Sequence, residues 1–136
     1  MHDDIANARN NPFPGQVFNA PTSRGTPGVD VYDGCRPDYT GKDVNKQNFL
    51  AALTGDSATT GGKKVLNSTS EDKVFINFAD HGGVGLICMP DGHNLYAKDL
   101  MSTLQTMQQK KMYSKLVFYL EACESGSMFQ KLPTDM

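Results

Sequence analysis

Two short segments of this 136-residue chain carry residue types able to do nucleophilic chemistry: Asp80-His81-Gly82-Gly83 and Glu121-Ala122-Cys123-Glu124-Ser125-Gly126. The thiolate is the reactive form of cysteine, and a nearby imidazole can take the thiol proton and later protonate a leaving amine. His81 and Cys123 are therefore candidates for the base and the nucleophile of an acyl transfer. Gly82 has no side chain to keep a substrate carbonyl from its backbone N–H. That N–H and the N–H of Cys123 are candidates for an oxyanion hole, a device worth about 3–4 kcal/mol in the transition state. Glu121 and Glu124 flank the thiol and oppose thiolate formation by repulsion, so each needs a separate reason. A helix opening near Ser125 would act in the opposite sense.

Taken singly, a cysteine at the end of a buried strand is more often structural, and so is a histidine in a Gly-rich turn. Together, in matching contexts, the two favour catalysis. A metal site built from Asp80, His81 and Cys123 is a weaker competitor, because no CxxC or HxxxH spacing supports it. No metal and no cofactor are expected.

Both segments must be positioned by the elements before them. "KVFINFA" and "KLVFYLEA" each read as a strand, apolar on both faces and so covered on both sides. In the first, Val74, Ile76 and Phe78 share one face and Phe75 lies on the other. "VGLICMP" reads as another short strand with Val84, Leu86 and Cys88 on one face, which places Cys88 in the core. Between the two main strands, "DGHNLYAKDLMSTLQTMQQKKM" holds the longest helix, with Leu100, Leu104 and Met107 at i, i+4, i+7. "VNKQNFLAALTG" is a shorter helix, capped by Asn45 and stopped by Gly55. Residues 7–42 are rich in Pro, Gly, Asn and Asp and read as loops. Strands alternating with helices predict an α/β sandwich around a mostly parallel sheet. In such sheets ligands bind beyond the carboxyl ends of the strands. If the two strands are parallel neighbours, His81 and Cys123, 42 residues apart, emerge at one edge.

Composition excludes little but is consistent with this. A net charge of −2 gives no reason to expect nucleic acid or an anionic membrane as partner. No run approaches the roughly 18 apolar residues that span a bilayer. "MHDDIANARN" is polar from its second residue and is not a secretory signal. Cys35, Cys88 and Cys123 are an odd, sparse set and not a disulfide framework; Cys35 reads as a free surface thiol, with pairing to a region outside this chain as the alternative. Asn67-Ser68-Thr69 forms a glycosylation sequon in a polar loop.

At these residues the sequence resembles the legumain, or asparaginyl endopeptidase, family of the caspase-like clan of cysteine peptidases. "FADHGGVGLICMP" is similar to the family's histidine segment and "EACESGSMF" to its cysteine segment. "DDIA", "NPFPGQVFNAP", "DVYDGCRPDYTGKDV" and "NFLAALTGD" resemble further consecutive family segments, so the likeness runs through the whole chain. The resemblance implies a caspase-like three-layer α/β sandwich. It implies cleavage after Asn, and after Asp at acid pH, through a Cys-His acyl-enzyme mechanism, with transpeptidase or ligase activity as an added capacity. His81 would be the base and acid, Cys123 the nucleophile, and the Gly82 and Cys123 amides the oxyanion hole. Glu121 would belong to the S1 pocket, where a carboxamide meets both donor and acceptor; pairing with a nearby Lys is the structural alternative. Asp80 matches the family Asp linked to succinimide formation, and on chemistry alone it is as well suited to orienting the loop. Partners implied are peptide and protein substrates with Asn at P1 and cystatin-type inhibitors; the implied setting is lysosomal, vacuolar or secreted.

Departures from the family pattern matter as well. Family catalytic domains start with a central strand, a Ser-Asn-Gly-like turn and an Arg-His segment, none of which precedes Met1 here. The chain closes at "LPTDM", before the other S1 walls. The expectation is therefore a partial catalytic domain over 1–136, truncated at both ends, lacking the first strand and the C-terminal part. Loss of a central strand should expose an unpaired edge and apolar surface, leaving the isolated chain unstable and inactive. Two other readings stay open: a GPI-transamidase-like catalytic subunit, against which "EACESGSM" argues, and a noncatalytic caspase-like binding module, against which the retained His81 and Cys123 argue.

Overall fold

A computed structural model describes Met1 and residues 5–133; Asp3 and Asp4 of "DDIA" and the last three residues of "LPTDM" lie outside the described residues. The chain divides into two compact units, Met1–Asp43 and Val44–Met136.

The first unit is held by turns, as its Pro, Gly, Asn and Asp content predicts. Among the described residues its regular structure is two 3-10 turns, Ile5–Asn7 and Gly41–Asp43, and two isolated bridges, Phe18 to Asp30 and Ser23 to Thr26. Asp30 substitutes for a ladder: its Oδ1 accepts from the Val17 N–H at 3.0 Å and the Tyr32 N–H at 2.9 Å. Phe13 and Phe18 meet edge to face, centroids 5.3 Å apart.

The second unit carries both chemical segments. Helix α1, Lys46–Thr54, begins where Asn45 accepts from the Asn48 N–H at 2.8 Å. It ends where Gly55 takes the left-handed conformation, φ 74°, which other residues enter only with strain. Strand β1, Lys73–Ala79, runs parallel to β5, Lys115–Glu121. Between them the chain forms β2 (Gly82–Gly83), β3 (Leu86–Cys88), β4 (Asn94–Tyr96) and helix α2 (Ala97–Gln109). Strands β2, β3 and β4 form a separate antiparallel sheet in that order, so the strands make two small sheets where one mostly parallel sheet was expected.

One face of the β1–β5 pair is packed. Val74 and Ile76 are buried, and Phe78, Leu116, Phe118 and Leu120 pack against the same core. Leu100, Leu104 and Met107 supply the inward stripe of α2, as their spacing predicts. Phe78 meets Phe49 of α1, centroids 5.5 Å apart. Lys110, just past α2, donates from Nζ to the Thr54 carbonyl at 2.9 Å and so satisfies a carbonyl at the end of α1.

The other face corrects the expectation of strands covered on both sides. Phe75 is 61% exposed and Tyr119 63%, and the two rings meet edge to face at 5.1 Å. Nothing described in this chain packs over them, so double burial read from composition does not hold here. The faces of "VGLICMP" also differ from the expectation. Gly85, φ 72°, turns the chain between β2 and β3, leaving Val84 79% exposed at the tip. Past the turn the alternation restarts, so Ile87 is fully buried while Leu86 and Cys88 are only partly so. Cys88 is therefore not a core residue. Burying Ile87 contributes about 1.5–3 kcal/mol.

Candidate active site

The pairing of β1 with β5 sets the geometry of the site. Register runs from Lys73 opposite Lys115 to Ala79 opposite Glu121, so the two strands end level. Two residues beyond the ends stand His81 and Cys123. Asp80, one residue past β1, donates its N–H to the Glu121 carbonyl at 3.2 Å, extending the ladder by one bond. The result is an open cleft of about 620 Å³ lined by Ala79, Asp80, His81, Glu121, Ala122 and Cys123. His81, Glu121 and Cys123 are exposed and Asp80 is partly buried.

The backbone of His81 is held on both sides. Its N–H donates to Asp80 Oδ1 at 2.6 Å, and its carbonyl accepts from the Cys88 N–H at 2.9 Å. Asp80 thus bonds within its own turn, the geometry of a loop-orienting carboxylate. Cys88, which sequence placed in the core, instead supplies a backbone bond that fixes the histidine segment.

Gly82 explains how the two segments can approach. A β-carbon there would lie 2.8 Å from the Cys123 carbonyl oxygen, 3.0 Å from the Ala122 β-carbon and 3.2 Å from the Leu86 carbonyl oxygen. Real β-carbons do not approach backbone oxygen that closely, so any larger residue separates the strand ends. Glycine here permits the packing of the histidine segment on the cysteine segment.

Past the cysteine the chain bends sharply. Glu124 adopts φ 55° and ψ 27°, a left-handed conformation costing a non-glycine residue about 1–2 kcal/mol. Its carbonyl accepts twice from Ser127, from the N–H at 2.8 Å and from Oγ at 2.6 Å. Ser127 Oγ in turn accepts from the Gly85 N–H at 2.7 Å. The expected helix after Cys123 is a five-residue 3-10 turn, Ser125–Phe129. So short a turn has little macrodipole to stabilise a thiolate. Phe129 anchors it against Phe118 of β5, centroids 5.6 Å apart, and Met128 is fully buried beneath it.

The other singled-out residues lie elsewhere. Asn67 is exposed in the loop before β1, where Ser68 donates to the Met112 carbonyl at 2.6 Å. Cys35 is an exposed free thiol in the other unit, as expected of it. Among the described residues no three His, Cys, Asp or Glu side chains gather as a metal ion would require, and no helix is long and apolar enough to cross a membrane. Sequence reasoning missed Ala122, Ser127 and the carbonyl of Glu124. A small residue between Glu121 and Cys123 was the only signal on offer.

Comparison with known proteins finds relatives along the whole chain. The model of the peptidase C13 family matches residues 1–136. The chain is 51% identical over its full length to mouse (Mus musculus) legumain, of which it covers 31%. It is likewise 51% identical over its full length to a hemoglobinase of Schistosoma mansoni, covering 30% of that protein. Over 96% of its length it is 49% identical to the delta-isozyme of vacuolar-processing enzyme from Arabidopsis thaliana, covering 27% of it. The chain thus spans less than a third of the length of these curated relatives.

Proposed function

The chain belongs to the peptidase C13 family, and on that premise we propose that it is the part of a cysteine endopeptidase's catalytic domain that carries both nucleophile and base. The observation that carries this is the level ending of parallel strands β1 and β5, which puts His81 and Cys123 on one cleft. His81 takes the thiol proton, and the Cys123 sulfur attacks the carbonyl carbon of the scissile peptide. The Gly82 and Cys123 amides receive the developing oxyanion. As the C–N bond breaks, His81 returns its proton to the amine, leaving a thioester that water hydrolyses with His81 as base. An amine in place of water gives a new peptide bond, the ligase outcome.

For specificity the proposal assigns Glu121 to binding an Asn side chain at P1. Glu121 lines the cleft, and among the described residues it makes no ion pair with a lysine, the structural alternative. A carboxylate can accept from the Asn amide NH₂. When P1 is Asp, acid pH protonates the substrate carboxyl and removes its repulsion from Glu121. Asp80 serves as the loop-orienting group through its bond to the His81 N–H. The caspase-like three-layer sandwich is assigned to the full-length protein, with sequence outside this chain adding sheet strands and the remaining S1 walls. Protein substrates with Asn at P1, cystatin-type inhibitors and a lysosomal or vacuolar setting complete the proposal; one relative bears the name vacuolar-processing enzyme. Glycosylation at the exposed Asn67 fits passage through a secretory compartment.

Hydrolysis of an Ala-Ala-Asn reporter by the full-length protein tests this reading. Cys123→Ala and His81→Ala should each lower kcat by about a thousandfold or more. Wild-type turnover surviving either substitution contradicts it.

A further inference from the structure

We propose that Ser127 is a positioning residue that locks the turn after the nucleophile to the hairpin after the histidine. The inference rests on the peptidase reading above. A serine hydroxyl has one proton to give and two lone pairs to receive with. Here Oγ accepts from the Gly85 N–H at 2.7 Å, so its own proton goes to the Glu124 carbonyl at 2.6 Å. The Glu124 carbonyl also receives the Ser127 N–H at 2.8 Å, filling both of its lone pairs. One side chain therefore ties together two backbone groups far apart in sequence, the Gly85 N–H and the Glu124 carbonyl.

The placement of those groups gives the clamp its consequence. Glu124 directly follows Cys123 and stands in a left-handed conformation that its side chain does not favour. With the hydroxyl gone, its carbonyl keeps a single bond, and relaxation of φ at Glu124 rotates the peptide that carries the Cys123 carbonyl. On the opposite side, Gly85 closes the hairpin whose first residue is Gly82. The two amides assigned to the oxyanion hole thus sit on loops that Ser127 ties together. Ser127 is partly buried and does not line the cleft, so it acts through Glu124 and Gly85 and not on substrate. This also gives Glu124 a function: its carbonyl, not its carboxylate, is the point of attachment.

The test uses the full-length protein with Ser127→Ala and Ser127→Thr, an Asn-P1 peptide reporter and the matching Asn peptide aldehyde. The aldehyde forms a tetrahedral thiohemiacetal whose oxygen occupies the oxyanion position. Ser127→Ala should lower kcat by about 10- to 100-fold, near the effect of weakening one oxyanion donor, with KM within about threefold. Aldehyde affinity should fall by a factor similar to that of kcat/KM. Ser127→Thr, which keeps the hydroxyl, should stay within about fivefold of wild type. A folded Ser127→Ala enzyme with wild-type kcat overturns the inference, as does a rise confined to KM. If Ser127→Ala does not fold, Ser127→Thr decides, and a folded Thr variant with kcat down by 10-fold or more overturns it. Failure of the peptidase reading is distinct: the wild-type protein itself would neither turn over the reporter nor bind the aldehyde.

Discussion

Gly82 and Cys123, 41 positions apart in sequence, approach so closely that a β-carbon on the first would lie 2.8 Å from the carbonyl oxygen of the second. This contact joins the segment carrying the base to the segment carrying the nucleophile. It converts a strand register, which only places two loops at one edge, into a cleft with both groups on its walls.

Gly82→Ala should therefore damage both stability and activity. Backbone atoms form two of the three clashes, so the neighbours cannot swing aside as a long side chain would. Destabilisation of about 1–3 kcal/mol is expected from overpacking, together with a loss of kcat/KM of at least about a hundredfold. Gly126→Ala is the control, because a β-carbon there meets nothing within 4 Å. Thermal melts and reporter kinetics on the two full-length variants should separate them clearly; equal behaviour would disprove the contact.

Asp72 gives a pH prediction. Its carboxylate accepts from the Thr69 N–H at 2.8 Å and Thr69 Oγ1 at 3.0 Å, and these bonds hold its pKa below the ordinary Asp value, the backbone bond most strongly. A lowered folded pKa means that the unfolded chain binds more protons in that range. The stabilisation is present above the ordinary value of about 3.9 and is lost as pH falls through the folded value. Unfolding midpoints should drop below about pH 4, and less steeply in Asp72→Asn. The loss should reach the strand starts, because the Asp72 carbonyl accepts from the Ser114 N–H at 2.6 Å just before β5. Parallel pH profiles for the two proteins would contradict this.

The uncovered sheet face predicts the behaviour of the isolated 136-residue chain. Phe75 and Tyr119 stand 61% and 63% exposed on a sheet that, among the described residues, has two strands, both of them edges. Such a surface favours self-association. Sedimentation velocity should show concentration-dependent association of this chain, reduced by Phe75→Lys with Tyr119→Lys. The same preparation should leave an Ala-Ala-Asn reporter intact. A monomeric chain that cleaves the reporter would contradict both expectations.

Local signals in the sequence predict structure where local physics decides the outcome. Asn45 and Gly55 bound α1 because a side-chain cap and a left-handed glycine act within one turn. Two strong apolar runs separated by a crossover suggest parallel neighbours with their ends at one edge, while the level register is set by the strand pairing itself. Non-local decisions were hidden. In "VGLICMP" three apolar residues share a parity, yet the turn at Gly85 resets the alternation and Ile87 takes the core position. Apolar residues on both faces of β1 and β5 signalled cover, but composition cannot say which segment supplies it. Ser127 lies in a Ser- and Gly-rich stretch that looks like plain loop, and its partner Gly85 is 42 residues away. No periodicity reports such a bond.

The most direct measurement is labelling of the three cysteines in the full-length protein with an aza-Asn epoxide, mapped by mass spectrometry. Cys123 and Cys35 are both exposed free thiols, so accessibility alone would label them alike. Cys123 should react at least about tenfold faster than Cys35, and His81→Ala should remove the difference. If Cys123 reacts no faster than Cys35, or keeps its advantage without His81, the pairing of these two residues as nucleophile and base is wrong.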